Sequence, residues 1–338
     1  MALDSIDEVQ ELATKSGAGE SMTPKSPNFF VVGAAKAGTT SLYHYLNEHS
    51  DIYLSPIKEP HFFCTDIRYE NFRSSFQKES HIDFPEYFSR PTLDPKHIAF
   101  VANRNDYLSL FREVAEQKVI GEVSTGYLYS QTAAKNIRAG VPDAKIVMIL
   151  RHPVERAFSH FLMDLKRGMA PASKFREAVA ADVLRREKGW GVSSLYVELG
   201  MYYEQVKRYL DIFPRENVKI VLFDDFKANT RGSISEIYGF LGVDDTLALD
   251  IRSKSNEAMV PRFPRLHALF AQTGMKRTLV SAMPKALKER LKNSLLVTAE
   301  HLKLTERDID FAWPFFEDDI QKLSGLLAID LSHWNPYA

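Results

Sequence analysis

Four short, largely apolar runs punctuate the first two thirds of the chain: Phe29–Val32, Val119–Val123, Lys145–Leu150 and Val218–Phe223. Continuous runs of this kind, rather than strict apolar–polar alternation, predict strands buried on both faces. Between them apolar residues recur at helical spacing. Leu42, Tyr45 and Leu46 follow the first run. After the third, Pro153 suits a helix start, and Ala157, Phe158, Phe161, Leu162 and Leu165 continue one stripe. The alternation predicts an α/β fold: a single P-loop-like domain whose central parallel sheet is flanked by helices on both faces. Residues 15–28, rich in Ser, Gly and Pro, read as a connector, so residues 1–27 are expected to be a flexible lead-in and 28–338 the domain. Within the lead-in, Ile6, Val9, Leu12 and Ala13 are spaced for a short amphipathic helix. No internal repeat or low-complexity tract is present.

Composition narrows the function classes. The 338 residues are 45% apolar and 26% charged, ordinary for a soluble globular protein. A formal net charge of −1 supplies no overall field for nucleic acid or an anionic membrane, so any anion site must be local. Cys64 is the lone cysteine, which excludes an intrachain disulfide and a cysteine-built metal cluster. No apolar run approaches the roughly 20 residues of a membrane span. Met1–Gly19 carries Asp4, Asp7, Glu8 and Glu11 instead of a signal-peptide core. The expected location is cytoplasmic, and no metal is expected.

The first run leads into Gly33-Ala34-Ala35-Lys36-Ala37-Gly38-Thr39-Thr40-Ser41, a turn between a strand and a helix. Amides of such a turn and of the helix start converge on an anion. Gly33 and Gly38 permit a tight path, and Thr39, Thr40 and Ser41 add hydroxyls. The Gly-x4-Gly spacing is that of a nucleotide P-loop, but Thr39 stands where that loop has its lysine, and a lysine sits inside the turn at Lys36. A plain glycine-rich turn with an exposed lysine is the competing reading. Arg151 ends the third run at a strand's carboxyl edge, where open α/β sheets bind ligands, and its guanidinium can grip a phosphate with two bonds.

The stretch PNFFVVGAAKAGTTSLYHYL (Pro27 to Leu46) resembles the 5'-phosphosulfate loop of sulfotransferases that use 3'-phosphoadenosine-5'-phosphosulfate (PAPS), in particular the heparan sulfate branch and bacterial enzymes similar to it. KIVMILRHPVERAFSHF (Lys145 to Phe161) resembles their 3'-phosphate block, and KEPHFF, GEVSTGYL, LGMYYEQVKRYLDIFP and the tail to Trp334 follow in order. The resemblance implies a PAPS-dependent O-sulfotransferase that needs no metal. Lys36 would stabilise the leaving phosphate. Ala37, Gly38, Thr39, Thr40 and Ser41 would hold the 5' end, and Arg151 with Ser159 the 3'-phosphate. Glu59 matches the family's base, with His61 as a second candidate and Lys58 as a steering charge. Arg262, in the altered stretch 256–264, aligns with a late cofactor loop. Val123 stands where animal heparan enzymes usually carry a lysine, which weakens the case for a strongly anionic polysaccharide.

The acceptor stays open among carbohydrate, glycolipid and small or carrier-bound alcohols, with the aromatic-rich segment 62–111 as the expected wall of its site. The basic stretch 276–292 reads as a solvated helical face or a dock for an acidic carrier or membrane surface. The alternative function is a P-loop nucleotide kinase using ATP and magnesium, for which Asp224 and Asp225 at the end of the fourth run would bind the metal. A non-catalytic nucleotide-binding scaffold is the third reading. Oligomeric state is not readable.

Overall fold

The computed structural model describes residues 25–245, 259–261, 296–298 and 302–338. Its centre is a five-stranded, wholly parallel sheet in the order β2-β5-β1-β6-β7. The strands are β1 (Phe29–Gly33), β2 (Ile52–Leu54), β5 (Val119–Val123), β6 (Lys145–Leu150) and β7 (Val218–Leu222). Every residue of β1 and β5 is buried, which is why these strands read as continuous apolar runs. A two-stranded parallel pair, β3 (Ile57–Glu59) and β4 (Lys96–Ile98), stands beside the sheet. A further antiparallel pair joins β8 (Met259–Pro261) to β9 (Leu296–Thr298).

Helices cover both faces, as the apolar pattern predicts. After β1 the chain crosses in one direction to β2, and after β6 in the other to β7. Right-handed crossovers of opposite direction put their helices on opposite faces. The elements are α1 (Thr39–Asn47), α2 (Gly126–Tyr129), α3 (Pro153–Arg167), α4 (Phe175–Val183), α5 (Tyr202–Leu210), α6 (Phe223–Ala228), α7 (Thr230–Leu241), α8 (Glu306–Ala312) and α9 (Glu317–Leu327). The Tyr238 hydroxyl of α7 donates to Tyr45 O of α1 at 3.0 Å. The Tyr209 hydroxyl of α5 donates to Tyr127 O of α2 at 2.9 Å, and α9 lies against α5. Trp313 and Trp334 bury the C-terminal segment in the same core.

The sequence of α3 explains its bounds. Pro153 fills the first turn, where an amide would lack a partner, and the His152 ring accepts from Val154 N at 3.2 Å. Val154, Ala157, Phe161 and Leu165 are buried. Burying Val154, Phe161 and Leu165 contributes about 1.5–3 kcal/mol each, far above any surface ion pair on the opposite face. Gly168, at φ 69°, ends the helix in the left-handed conformation.

One expectation is corrected. The fourth strand stops at Leu222, and Phe223 opens α6, so Asp224 and Asp225 lie in a helix's first turn rather than at a strand's end. The amphipathic segment near Ile6, the basic stretch 276–292 and Arg262 lie outside the described residues. Among the described residues no helix is long and apolar enough to cross a membrane.

Candidate active site

At its carboxyl edge β1 enters the turn before α1. The Ala34 amide donates to Ile149 O at 2.7 Å and ties the turn to β6, while Ala37 N donates to Ala34 O at 3.2 Å inside it. Lys36 and Gly38 both take positive φ, 68° and 93°. A Cβ on Gly38 would also come within 2.7 Å of the Phe223 ring, so backbone conformation and close packing both require glycine there. Helix α1 opens with neither a capping side chain nor an acidic residue in its first turn. The first amides of a helix have no intrahelical partner, so α1 presents donors and the positive end of its dipole.

This edge opens into a cavity of about 780 Å³ that Lys36, Gly38, Thr39, Thr40 and Ser41 line. Ala37 lies in the core and reaches no cavity surface; its amide is committed inside the turn. The Lys36 ammonium lies 3.8 Å from the Met163 sulfur and has no carboxylate in salt-bridge distance among the described residues. Burial, then the charges of Arg167 and Arg151, bring Lys36 down to about 8, against the pull of Glu59 and Asp164.

A second cation group enters from β6. The Tyr202 hydroxyl donates to Arg151 O at 2.9 Å and fixes the backbone. The Arg151 guanidinium lies 4.8 Å from the centre of the Phe223 ring. It donates through Nε and Nη2 to Glu155 Oε2, at 3.1 and 2.8 Å, and through Nη1 to Lys36 O at 3.4 Å. The pair is half-buried, and an i,i+4 ion pair on a helix contributes only about 0.3–0.5 kcal/mol. Ser159, one turn past Glu155 on α3, lines the same cavity. Strand β8, which ends one residue before Arg262, lies against α3.

Glu59, at the end of β3 and buried, lines the same cavity. Lys58 Nζ donates to its Oε1 at 2.8 Å and Thr125 Oγ1 to its Oε2 at 2.9 Å. Burial pushes this carboxyl up, but the Lys58 charge, the His61 ring and the Lys58 hydrogen bond outweigh it and hold the group at about 2. His61 stands behind Glu59, away from the cavity wall. It takes φ 54°, its Nδ1 hydrogen-bonds Glu59 O at 2.9 Å, and its ring stacks 4.8 Å from Phe100. Its Nε2 lies 3.8 Å from Glu59 Oε2 with no hydrogen-bond partner among the described residues, and burial lowers its pKa.

The structure adds residues the motifs do not name. Thr125 reaches Glu59 from the chain just past β5. Below it the fully buried Glu122 accepts from Tyr107, Tyr127 and Ser124 hydroxyls at 2.7, 2.9 and 3.0 Å, and burial pushes it up to about 7. His97 on β4 and Arg167 on α3 also line the cavity. Stepping by four from Ser159 reaches Met163 and Arg167, so a helical-face reading finds the arginine; nothing in the sequence marks His97. Val123 is buried in β5 and off the cavity. Asp224 and Asp225 do not line it either, and Asp224 Oδ2 accepts from the Trp334 indole N–H at 2.8 Å.

One cavity thus gathers an uncapped helix start, Lys36, Arg151 and an ionised carboxylate. Comparisons with known proteins identify the family. Mouse carbohydrate sulfotransferase 15 is 22% identical over 275 residues, covering 70% of this chain and 46% of the mouse protein. Human heparan sulfate glucosamine 3-O-sulfotransferase 6 is 24% identical over 232 residues, covering 69% and 56%. The chain thus spans about half the length of these curated relatives. The crystal structure of a sulfotransferase from Alicyclobacillus acidocaldarius is similar with a TM-score of 0.62 and 29% identity, over 92% of this chain and 99% of that one. The pattern that defines the sulfotransferase family matches residues 27–246, well over half the chain, and this chain belongs to that family.

Proposed function

We propose that the chain is a PAPS-dependent O-sulfotransferase, with residues 28–338 as its domain, that moves a sulfuryl group onto an acceptor hydroxyl. The observation that carries this reading is that one cavity gathers Lys36, Arg151, Ser159 and Glu59 from three separate parts of the chain. The residues fit the donor. An uncapped helix start and a lysine without a carboxylate partner among the described residues suit one phosphate group, and Arg151 with Ser159 suits another. The donor supplies an activated sulfuryl group on a phosphate leaving group.

The α1 amides with Thr39, Thr40 and Ser41 hold the 5' end, and Lys36 places its ammonium where leaving-group charge develops. Arg151 turns from Glu155 to the 3'-phosphate, joined by the Ser159 hydroxyl. Glu59 takes the acceptor proton. Held at about 2, it is ionised at neutral pH but only weakly basic, so the proton moves late, once bonding to sulfur has made the acceptor oxygen acidic. Lys58 and Thr125 hold the carboxylate in place, and His61 backs it.

The test is donor turnover. Incubation with PAPS and a mixed pool of sugars, phenols and aliphatic alcohols should release 3'-phosphoadenosine-5'-phosphate at the same rate with or without a magnesium chelator. Phosphoryl transfer from ATP that requires magnesium would overturn the proposal in favour of a kinase.

A further inference from the structure

The same cavity has a further part, a wing, which meets the donor side at Met163, 3.8 Å from Lys36 Nζ, and at Arg167, whose charge acts on Lys36. Phe72 and Phe76, stacked 4.7 Å apart, form one wall, and Trp190 and Met163 line others. The turn at Gly191 lines it as well. Gly191 takes φ 89°, and a Cβ there would lie 2.7 Å from the Phe72 ring, so the turn rests directly on that wall. The turn at Gly191 and the Phe72 ring thus form one continuous side of the cavity.

Its charge is one-sided. Arg73 and Arg167 line it, and neither has a carboxylate within salt-bridge distance among the described residues. The acids of the wing, Asp164 and Asp182, are engaged with internal donors. Asp164 Oδ2 accepts from the Ser194 and Tyr196 hydroxyls, both at 2.8 Å. Asp182 accepts from the Ser194 and Tyr196 amides at 3.0 and 2.9 Å. Burial raises the pKa of both. What the wing shows an incoming molecule is aromatic and thioether surface with guanidinium groups. Arg167 lies two turns beyond Ser159 on α3, roughly 12 Å along the helix, too far to serve the 3'-phosphate grip.

We propose that this wing is the acceptor subsite and that it selects an alcohol or phenol carrying an anionic group beside an apolar or aromatic body, with Arg73 and Arg167 holding the anion. The inference rests on the sulfotransfer reading and narrows its acceptor class. The walls favour a planar or aliphatic body, and the arginines favour a carboxylate, phosphate or sulfate over an uncharged end.

The test uses binding, so that no turnover is needed. The protein is saturated with 3'-phosphoadenosine-5'-phosphate and titrated calorimetrically with para-hydroxyphenylacetate, and in parallel with its methyl ester. The acid should bind at least about tenfold more tightly than the ester, as expected for charge-assisted contacts to guanidinium. The doubly substituted Arg73→Gln, Arg167→Gln protein should bind the two alike, with ester affinity unchanged. Arg73→Gln alone, at an exposed position, should reduce the preference at least threefold and covers the case in which the double substitution fails to fold. Equal binding of acid and ester by the natural protein, binding of neither, or a preference that survives both substitutions would overturn the inference. Failure to bind the bisphosphate before any acceptor is added would instead remove the sulfotransfer reading on which it rests.

Discussion

The turn after β1 and the wing open into one cavity, yet different parts of the fold shape them. The donor side sits on the carboxyl edge of β1 and β6, adjacent central strands of the sheet. Its residues come from two contiguous blocks, 33–41 and 151–159. Ala34 is bonded to Ile149, and Gly38 lies under Phe223, so the grips are as rigid as the core beneath them. The wing is assembled from the region of Phe72, the pair β3/β4 outside the main sheet, the far end of α3 and the turn around Gly191. A sheet that fixes the donor and peripheral segments that shape the acceptor pocket allow one chemistry to be kept while its target changes.

Substitution of the carboxylate in the shared cavity should have the largest effect. Glu59→Gln should lower kcat by about 10²–10⁴, the usual contribution of a positioned base, while leaving the calorimetric affinity for 3'-phosphoadenosine-5'-phosphate within threefold. Unchanged turnover would move the proton to another group, with His97 the nearest candidate on the wing side. The same carboxyl is held below its usual range, so its contribution to stability is present above the unfolded-state value near 4.3 and is lost as pH falls toward about 2. Acid unfolding of the natural protein relative to Glu59→Gln checks that sign.

On the donor side, Arg151→Ala should weaken bisphosphate binding about 10- to 100-fold and leave binding of adenosine 5'-monophosphate nearly unchanged. An equal loss for both ligands would mean that Arg151 supports the fold rather than the 3'-phosphate. The smallest effect is the pH dependence of Lys36. Its ammonium is held at about 8, so it is charged below that value and loses its charge above it. Bisphosphate affinity should fall as pH rises through 8, by at most about tenfold per pH unit. Lys36→Arg should flatten that slope, because guanidinium does not titrate there.

The donor side was legible in the sequence because sheet-edge phosphate sites use neighbouring residues. A strand, a glycine turn and a helix start occupy one window, and Arg151 and Ser159 lie within the next. The sheet was legible for a related reason: burial on both faces of β1, β5 and β6 leaves continuous apolar runs. Strands β3 and β4 were not, since three residues carry no period and β4 includes the exposed Lys96 and His97. The boundary at Phe223 was missed because an apolar residue continues the strand pattern into a helix; the two aspartates that follow are first-turn acids of α6, favourable to its dipole. Thr125 and Arg73 reach the cavity only through tertiary packing, which a linear pattern does not encode.

The central claim is that a single cavity grips a nucleotide by two phosphates, one at the α1 loop and one at Arg151 and Ser159. Calorimetric comparison of 3'-phosphoadenosine-5'-phosphate with adenosine 5'-monophosphate, both without metal, tests it most directly. The account predicts that removal of the 3'-phosphate weakens binding about 100-fold, as expected when two contacts to a charged group vanish. Equal affinities would contradict it and leave the Arg151 region without a ligand.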